Sequence, residues 1–281
     1  MTGSTVIAGE DVRADTLSGR TADRGVHSTR CAVRVIARLD IKGPNVIKGI
    51  HLEGLRVVGQ PSAMARRYYE QGADEFIYMD TVASLYGRNS ILSVVEEAAR
   101  DVFVPLTVGG GIRSVEDAVK ALRSGADKVA VNTAAIARPE LLTEMAKTLG
   151  RQCVVLSVEA KAREPGRWEA LTDNGRERTG VDVLDWVAKG EELGAGEILI
   201  TSVDREGTRK GFDVALVEAV RGRVSIPVIA AGGAGAASHV VDLLRGASAD
   251  AVACASVFHY GSCPITAMKS ALQQNGISTR P

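Results

Sequence analysis

The sequence predicts one α/β domain in which eight parallel strands, each followed by a helix, close into a barrel. Short apolar runs alternate eight times with longer amphipathic segments between Val33 and residue 275. Strands that are buried on both faces read as continuous apolar runs, as these do. No break in composition divides the 281 residues, and α/β barrels commonly run to about 250 residues as one domain. The predicted fold is therefore a single (β/α)8, or TIM, barrel.

Each predicted strand is a short run that is nearly all apolar, and each predicted helix begins at a polar or Pro-containing boundary. The predicted strands are 33–39, 76–80, 104–108, 128–132, 153–158, 198–202, 227–230 and 251–254. The helices are predicted to begin near Pro61, Arg88, Ser114, Arg138, Val181, Asp213, Ala236 and Pro264. Ser114 followed by Asp117 resembles a capping box, which is a common helix start.

An internal repeat indicates that the barrel consists of two half-barrels of four βα units each. EQGADE at 70–75 matches ELGAGE at 192–197, and LDIK at 39–42 matches VEAK at 158–161. The Gly-Gly and Ala-Asp pairs at 109–110 and 126–127 recur 123 residues later. Chance similarity among Gly-Ala-Asp turns is the alternative, but the four matches keep chain order at nearly one spacing.

Composition indicates three segments in the chain. Residues 1–32 are rich in Gly, Ser, Thr, Asp and Arg and predict a flexible N-terminal extension. The barrel follows at 33–275, and a C-terminal tail at 276–281.

Composition also limits the partners and cofactors that we expect. The 34 basic and 34 acidic residues balance, which argues against nucleic acid as a partner. The absence of a long apolar stretch predicts no membrane span, and four cysteines without a CxxC pair suit the reducing cytoplasm. The four histidines lack metal-ligand spacing, so we expect neither a metal nor another cofactor.

Two glycine-rich turns follow apolar strands and predict two phosphate sites. They are VPLTVGGGIRS at 104–114 and IPVIAAGGAG at 226–235. Glycines allow close backbone approach, and helix N-termini attract anions. The first predicted cradle comprises Gly110, Gly111, Asn132 and Thr133. The second comprises Gly207, Gly232, Gly233, Ala255 and Ser256, from the last three predicted βα loops. Two cradles on opposite rims imply a ligand with a phosphate at each end.

Asp40 and Glu159 are the candidate catalytic residues. Each ends a predicted strand, and they hold equivalent places in the two halves, so they are expected to face each other across the barrel mouth. Opposed carboxylates suit general acid and base catalysis on two sides of a substrate. The alternative is that one or both cap the following loop.

Further polar residues belong near the same rim. Thr201 and Glu206 fall at or just beyond a strand end and are candidate substrate-binding residues. Lys48 lies in a glycine-flanked loop from which it could reach a phosphate, although an ordinary solvated lysine is an equal alternative. At the opposite ends of the strands, two cations and two anions could form a ring, or could be unrelated solvated residues: Arg34, Glu75, Lys128 and Glu197.

Beyond residue 33, the chain resembles the cyclase subunit family of imidazole glycerol phosphate synthase, or a close paralogue of it. The matching segments are LDIK (39–42), VIKG (46–49), PLTVGGGIRS (105–114), GADKV (125–129), NTAA (132–135), GAGEIL (194–199), DREGT (204–208) and ASVFH (255–259). The sister isomerase of histidine biosynthesis shares the half-barrel plan and is the nearest competitor.

The resemblance implies a lyase and cyclase reaction. A glutaminase partner docked at the N-terminal barrel face would supply ammonia through the barrel. The substrate would be a bisphosphorylated ribulosyl aminoimidazole carboxamide nucleotide, and the products imidazole glycerol phosphate and aminoimidazole carboxamide ribotide. Asp40 matches a catalytic aspartate, and Lys48 a lysine on a mobile loop. The four charges at the strand starts match the gate of the ammonia channel.

Four residues depart from the family pattern around the mouth. Glu159 and Glu206 stand where the family has aspartate, Ala231 where it has serine, and Arg38 where it has cysteine. These changes keep two alternatives open. One is a paralogue that uses glutamine-derived ammonia in another pathway, such as cell-surface sugar amidation or secondary metabolism. The other is a non-catalytic scaffold that docks a glutaminase.

Overall fold

The computed structural model describes Met1, residues 32–81, Ala83 and residues 91–281. In chain order, its strands are β1 (Arg34–Lys42), β2 (Asn45–Ile50), β3 (Glu53–Gly59), β4 (Glu75–Asp80), β5 (Leu106–Gly109), β6 (Lys128–Val131), β7 (Val154–Glu164), β8 (Arg167–Thr172), β9 (Glu177–Asp182), β10 (Glu197–Ser202), β11 (Val228–Ala231) and β12 (Ala251–Cys254). Its α-helices are α1 (Pro61–Glu70), α2 (Leu92–Asp101), α3 (Val115–Arg123), α4 (Thr133–Ala137), α5 (Glu140–Leu149), α6 (Val183–Glu192), α7 (Val214–Arg221), α8 (Ala237–Ala247), α9 (Ser256–His259) and α10 (Ile265–Gln274).

Eight of these strands close into a parallel barrel. The order around it is β1, β4, β5, β6, β7, β10, β11 and β12, and β12 pairs with β1 to complete the ring. Helices connect successive barrel strands, so the predicted (β/α)8 barrel is confirmed. The carboxyl ends of parallel strands all meet at one rim, which is where sites form in this fold.

Two antiparallel hairpins extend this rim, and the sequence patterns did not predict them. After β1 the chain forms β2 and β3, and after β7 it forms β8 and β9. Most side chains of β3 and β9 are exposed or half-buried, so neither has the continuous apolar run of a barrel strand. The hairpins occupy equivalent places in the two half-barrels, which supports the predicted repeat.

The apolar core has two layers. A large cluster fills the space between the barrel and its helices, with fully buried residues such as Leu39, Val108 and Leu156. A smaller cluster fills the lumen: Ile36, Ile77, Ala130, Val155, Leu199, Ile229, Ala231, Ala251 and Ala253. Adjacent strand residues point to opposite faces, so seven of the eight barrel strands contribute to both clusters. The lumen-facing residue of β5 is Thr107, which pairs in register with Ile77.

Helix starts agree with the sequence patterns wherever they are described. Ser114 caps α3 by accepting a hydrogen bond from the Asp117 N–H at 3.2 Å, and Asp213 caps α7. The predicted start near Arg88 lies outside the described residues. The N-terminal extension also lies outside them, apart from Met1 and Ala32, and stays a prediction. Among the described residues, no helix is both long and apolar enough to cross a bilayer.

Candidate active site at the carboxyl rim of the barrel

The two candidate acids lie on inward-facing positions of β1 and β7. Asp40 pairs in register with Met79 of β4, and Glu159 with Thr201 of β10. Both strands run on beyond these residues into the hairpins, so each acid sits at the point where the barrel ends and the hairpin begins. Both side chains are buried. Each acid therefore has the same place in the backbone of its own half.

Asp40 is surrounded by cations. Its Oδ1 accepts from Arg38 Nε at 2.8 Å, and its Oδ2 accepts from Lys48 Nζ at 2.9 Å. Burial by itself would raise the pKa of Asp40, but the charges of Arg38 and Lys48 outweigh it and hold that pKa well below its ordinary range. Asp40 is therefore a carboxylate at neutral pH.

Glu159 has a different environment, made mostly of amides. Its Oε2 accepts from Asn132 Nδ2 at 3.1 Å and from the Gly175 N–H at 2.7 Å. Burial raises its pKa to about 7, although the charge of Arg38 and the Gly175 hydrogen bond partly offset this effect. Near neutral pH, Glu159 can therefore exist in both forms, which suits an acid that gives up a proton.

The first predicted cradle lies beside Glu159. Gly110, Gly111, Asn132 and Thr133 line one cavity of about 310 Å³ together with Glu159. Gly110 and Gly111 have φ values of +85° and +75°, a conformation that favours glycine. The structure therefore joins this cradle and one candidate acid in a single pocket.

The second cradle lies beside Asp40 and its cations. One small cavity is lined by Glu206, Gly207, Gly232, Gly233, Ala255 and Ser256, together with Arg38. Lys48 forms an ion pair with Glu206, so its ammonium group joins Glu206 to Asp40. Burial would lower the pKa of Lys48, but these two carboxylates raise it, so Lys48 remains charged. The alternative of a solvated Lys48 is thus wrong, because its side chain is buried.

The two hairpin tips meet above the mouth. Leu52, at the β2–β3 turn, packs with Leu171 of β8 and with Val203, which follows β10. His51 strengthens this contact, since its Nδ1 lies 2.9 Å from the Val203 carbonyl oxygen and its N–H donates to the Glu206 carbonyl. The two hairpins therefore contact each other at the carboxyl rim of the barrel.

The four charges at the other end of the barrel form a closed ring. Arg34 binds Glu75 at 2.9 Å and Glu197 at 2.5 Å, while Lys128 binds the same two glutamates at 3.2 Å and 2.9 Å. Each of the four is the first residue of its strand. The alternative of four unrelated solvated residues is wrong, since every cation contacts both anions. We name these residues the basal ring.

Arg38 is the departure with the largest structural effect. Its guanidinium group is buried in the mouth, where it binds Asp40 and also donates from Nη1 to Thr201 Oγ1 at 3.0 Å. Glu206 pairs with Lys48. Ala231 joins the apolar lumen cluster. The altered residues are thus accommodated in one connected mouth.

Sequence reasoning missed several residues of the first pocket, among them Arg113, Asp173 and Asn174. Arg113 follows the triple glycine directly, so its position was a usable signal. Asp173 and Asn174 belong to the β8–β9 turn, which reaches the pocket only because the hairpin folds back over it; the Asp173 N–H donates to Thr133 Oγ1 at 3.1 Å. In the part of the chain that the structure describes, no three His, Cys or acidic residues are grouped to hold a metal ion.

Comparisons with known proteins agree with this architecture. The family described as "Histidine biosynthesis protein" matches residues 34–264. A Legionella pneumophila protein named imidazole glycerol phosphate synthase subunit HisF is 66% identical over 203 residues, which cover 72% of this chain and 96% of that protein. A Mycobacterium tuberculosis protein of the same name is 51% identical over 255 residues, which cover 89% of this chain and 95% of that protein. The chain belongs to the histidine biosynthesis protein family.

Proposed function

We propose that this chain catalyses the ammonia-dependent lyase and cyclase reaction of imidazole glycerol phosphate synthase. Both relatives carry that enzyme's name and are matched over nearly their whole length. The observation that carries the proposal is the pair of rim acids. Asp40 is held as an anion by two cations, while the pKa of Glu159 is about 7. Glu159 lines the first cradle, and Arg38, which binds Asp40, lines the second. The other two hypotheses, another amidation pathway and a non-catalytic scaffold, have no support from these relatives.

The two cradles suit a bisphosphorylated ribulosyl aminoimidazole carboxamide nucleotide. One terminal phosphate would bind at Gly110 and Gly111, where Arg113 adds a positive charge. The other would bind at Gly232 and Gly233, with Ser256 as a hydroxyl donor. With one phosphate in each cradle, the middle of the substrate would lie between the two acids, where the ring closes.

The acids would then divide the proton transfers. Asp40 is ionised and so can accept a proton as ammonia adds to the substrate. Glu159, when protonated, can donate one to the group that leaves. Lys48 holds Asp40 and Glu206 together and is near enough to the second cradle to stabilise a bound anion.

The relatives are named as subunits, which implies a complex with a second subunit. We place a glutaminase partner at the N-terminal face, because the basal ring closes the lumen there with four mutually bonded charges. Neutral ammonia released at this face could enter the lumen once the ring opens. Above the ring the lumen holds a cluster of apolar side chains.

An assay of the purified chain with the bisphosphorylated nucleotide tests the proposal. With ammonium chloride, we expect formation of imidazole glycerol phosphate, and we expect none when ammonium is left out. A chain that forms no product with ammonium would rule out the histidine-pathway reaction. Turnover of the nucleotide without ammonium would instead indicate the sister isomerase reaction.

A further inference from the structure

The lumen is spanned twice by arginines from the same strand. Arg34 and Arg38, four residues apart on β1, each reach β10, where Glu197 and Thr201 are also four residues apart. In the barrel order, β1 and β10 are separated by β11 and β12, so both contacts cross the interior rather than joining neighbouring strands. At about 3.3 Å per residue, the two crossings lie roughly 13 Å apart along the barrel.

The space between the crossings is lined mainly by apolar side chains, and the hydroxyl groups of Thr107 and Ser157 also face it, since these residues pair in register with Ile77 and Leu199. Ile36 lies between the two arginines on β1, and Leu199 lies between their two acceptors on β10, and both belong to the lumen cluster. The lumen is therefore a mainly apolar segment with a guanidinium group at each end. The lower guanidinium belongs to the basal ring, and the upper one lies directly beneath the candidate active site.

We propose that Arg38 is an inner gate, whose contact with Thr201 closes the upper end of the ammonia path in this protein. The inference rests on the proposed function, because it assumes that ammonia travels through the lumen. It assigns a role to the arginine that stands where the resemblance predicts cysteine. The lumen then has two gates in series, and ammonia that has passed the first waits below the second.

The contacts of Arg38 show which end of the gate opens. The Nε group binds the Asp40 carboxylate at 2.8 Å, whereas Nη1 binds the neutral hydroxyl of Thr201 at 3.0 Å. Pairs in which both partners are charged are the stronger ones, so Arg38 pivots at Asp40 and releases Thr201. Burial would lower the pKa of Arg38, but Asp40 and Glu206 outweigh it, so the group stays charged and the gate cannot open by losing a proton.

Removal of the Thr201 acceptor tests the gate. In a complex with the glutaminase, Thr201→Val keeps the side-chain shape and the ion pair between Arg38 and Asp40. We expect the number of glutamines consumed per product to rise above the wild-type value, because losing one bond to a charged group shifts the open-to-closed ratio of the gate by about tenfold. Ammonia then escapes through the mouth before it reacts. Arg38→Met should raise this ratio as well.

Ammonium supplied from solvent provides the internal comparison, since it enters at the mouth and does not pass Arg38. Thr143→Val is the matched control: it is the same substitution and also loses a hydrogen bond, to the Leu193 carbonyl at 2.9 Å, but it lies on α5 outside the lumen. We expect its ratio of glutamine to product to equal that of the wild type.

Two results would overturn the gate. One is a Thr201→Val ratio equal to that of Thr143→Val. The other is that Arg38→Met lowers glutamine-dependent and ammonium-dependent turnover by the same factor. Arg38 would then be a residue that only positions Asp40. A failure of the proposed function looks different, because the wild-type chain would then form no product from either nitrogen source.

Discussion

The two half-barrels have the same backbone path at the rim, but the candidate acid of each half has a different electrostatic environment. In each half, a barrel strand carries an acid and continues into an antiparallel hairpin, and the acids are 119 residues apart in sequence. Asp40 contacts two cations, and both of its oxygens are engaged by them. Glu159 contacts only neutral donors among its described hydrogen bonds, the amide groups of Asn132 and Gly175.

The difference shows how a repeated fold can hold one acid ionised and keep the other able to carry a proton. Equivalent positions give both carboxylates the same access to a substrate. The neighbouring side chains then set the charge state of each, because burial disfavours ionisation and nearby cations favour it. Arg38 belongs to both environments, since it binds Asp40 and its charge also lowers the pKa of Glu159.

The largest effect is expected from Asp40→Asn, which removes the anionic member of the pair. Ammonium-dependent kcat should fall by about 10²- to 10⁴-fold, the usual contribution of a positioned acid or base. Steady-state kinetics with saturating nucleotide measure it. Asp204→Asn is a suitable control, since Asp204 is a half-buried carboxylate paired with Lys161 near the same rim. A fall of less than tenfold for Asp40→Asn would remove Asp40 from the chemistry.

The next effect concerns stability. The pKa of Glu159 rises on folding to about 7, so its buried neutral form supports the fold at low pH, and this support is lost as pH rises through 7. The glutamine side chain in the Glu159→Gln variant does not ionise, so this variant does not lose that stability as the pH rises. We expect it to be more stable than the wild type by about 3 kcal/mol at pH 8 and by less at pH 5.

Urea unfolding of both proteins at the two pH values measures this difference. Asp40→Asn should do the opposite and destabilise the chain at pH 8, because Arg38 and Lys48 would remain buried with one carboxylate fewer. If Glu159→Gln gives the same gain at both pH values, the raised pKa is not its cause.

A moderate effect is expected on the pH dependence. If protonated Glu159 is the acid, kcat/KM should decline above about pH 7. The charged groups that act on Glu159 are Arg38, which lowers its pKa, and Asp40 and Asp173, which raise it. Arg38→Met should therefore move the decline to higher pH. If the pH profile of kcat/KM is the same in Arg38→Met as in the wild type, the charge of Arg38 does not affect the titration of Glu159.

The smallest effect is expected in the cradles. Gly232 has φ +94°, and a Cβ there would lie 2.8 Å from the Ser202 carbonyl oxygen. Gly232→Ala should raise KM for the nucleotide by about tenfold, since a local backbone shift would misplace one anion site. Gly276→Ala is the matched control, with φ +73° but no atom within 4 Å of the added carbon. Equal KM values for the two variants would remove Gly232 from phosphate binding.

Much of the barrel was predictable because its strands are buried on both faces. The 251–254 strand was predicted with the bounds that the structure shows, and the predicted 198–202 strand begins one residue too late. The hairpins were missed for the opposite reason. Residues 53–59 are mostly exposed, so no apolar period marks them, and they form a strand by pairing with β2.

The candidate site likewise contains some residues that the sequence predicted and others that only the fold brings into the pocket. Asp40, Glu159 and the glycine turns could be found from strand ends and from the internal repeat. Arg113 could have been found from its place after the triple glycine, whereas Asp173 and Asn174 could not, because they reach the pocket only through the fold of the second hairpin. The role of Lys48 also depended on its burial against Asp40 and Glu206.

The sequence by itself determined the closed barrel of two similar halves, because hydrophobic periodicity and turn glycines are local properties that a chain carries in its order of residues. The tertiary structure alone decided which acid is ionised and which groups cross the lumen. Those properties depend on distances between side chains far apart in the chain, such as Arg38 and Thr201, 163 residues apart. Burial and charge act through space, and only the folded barrel brings these groups together.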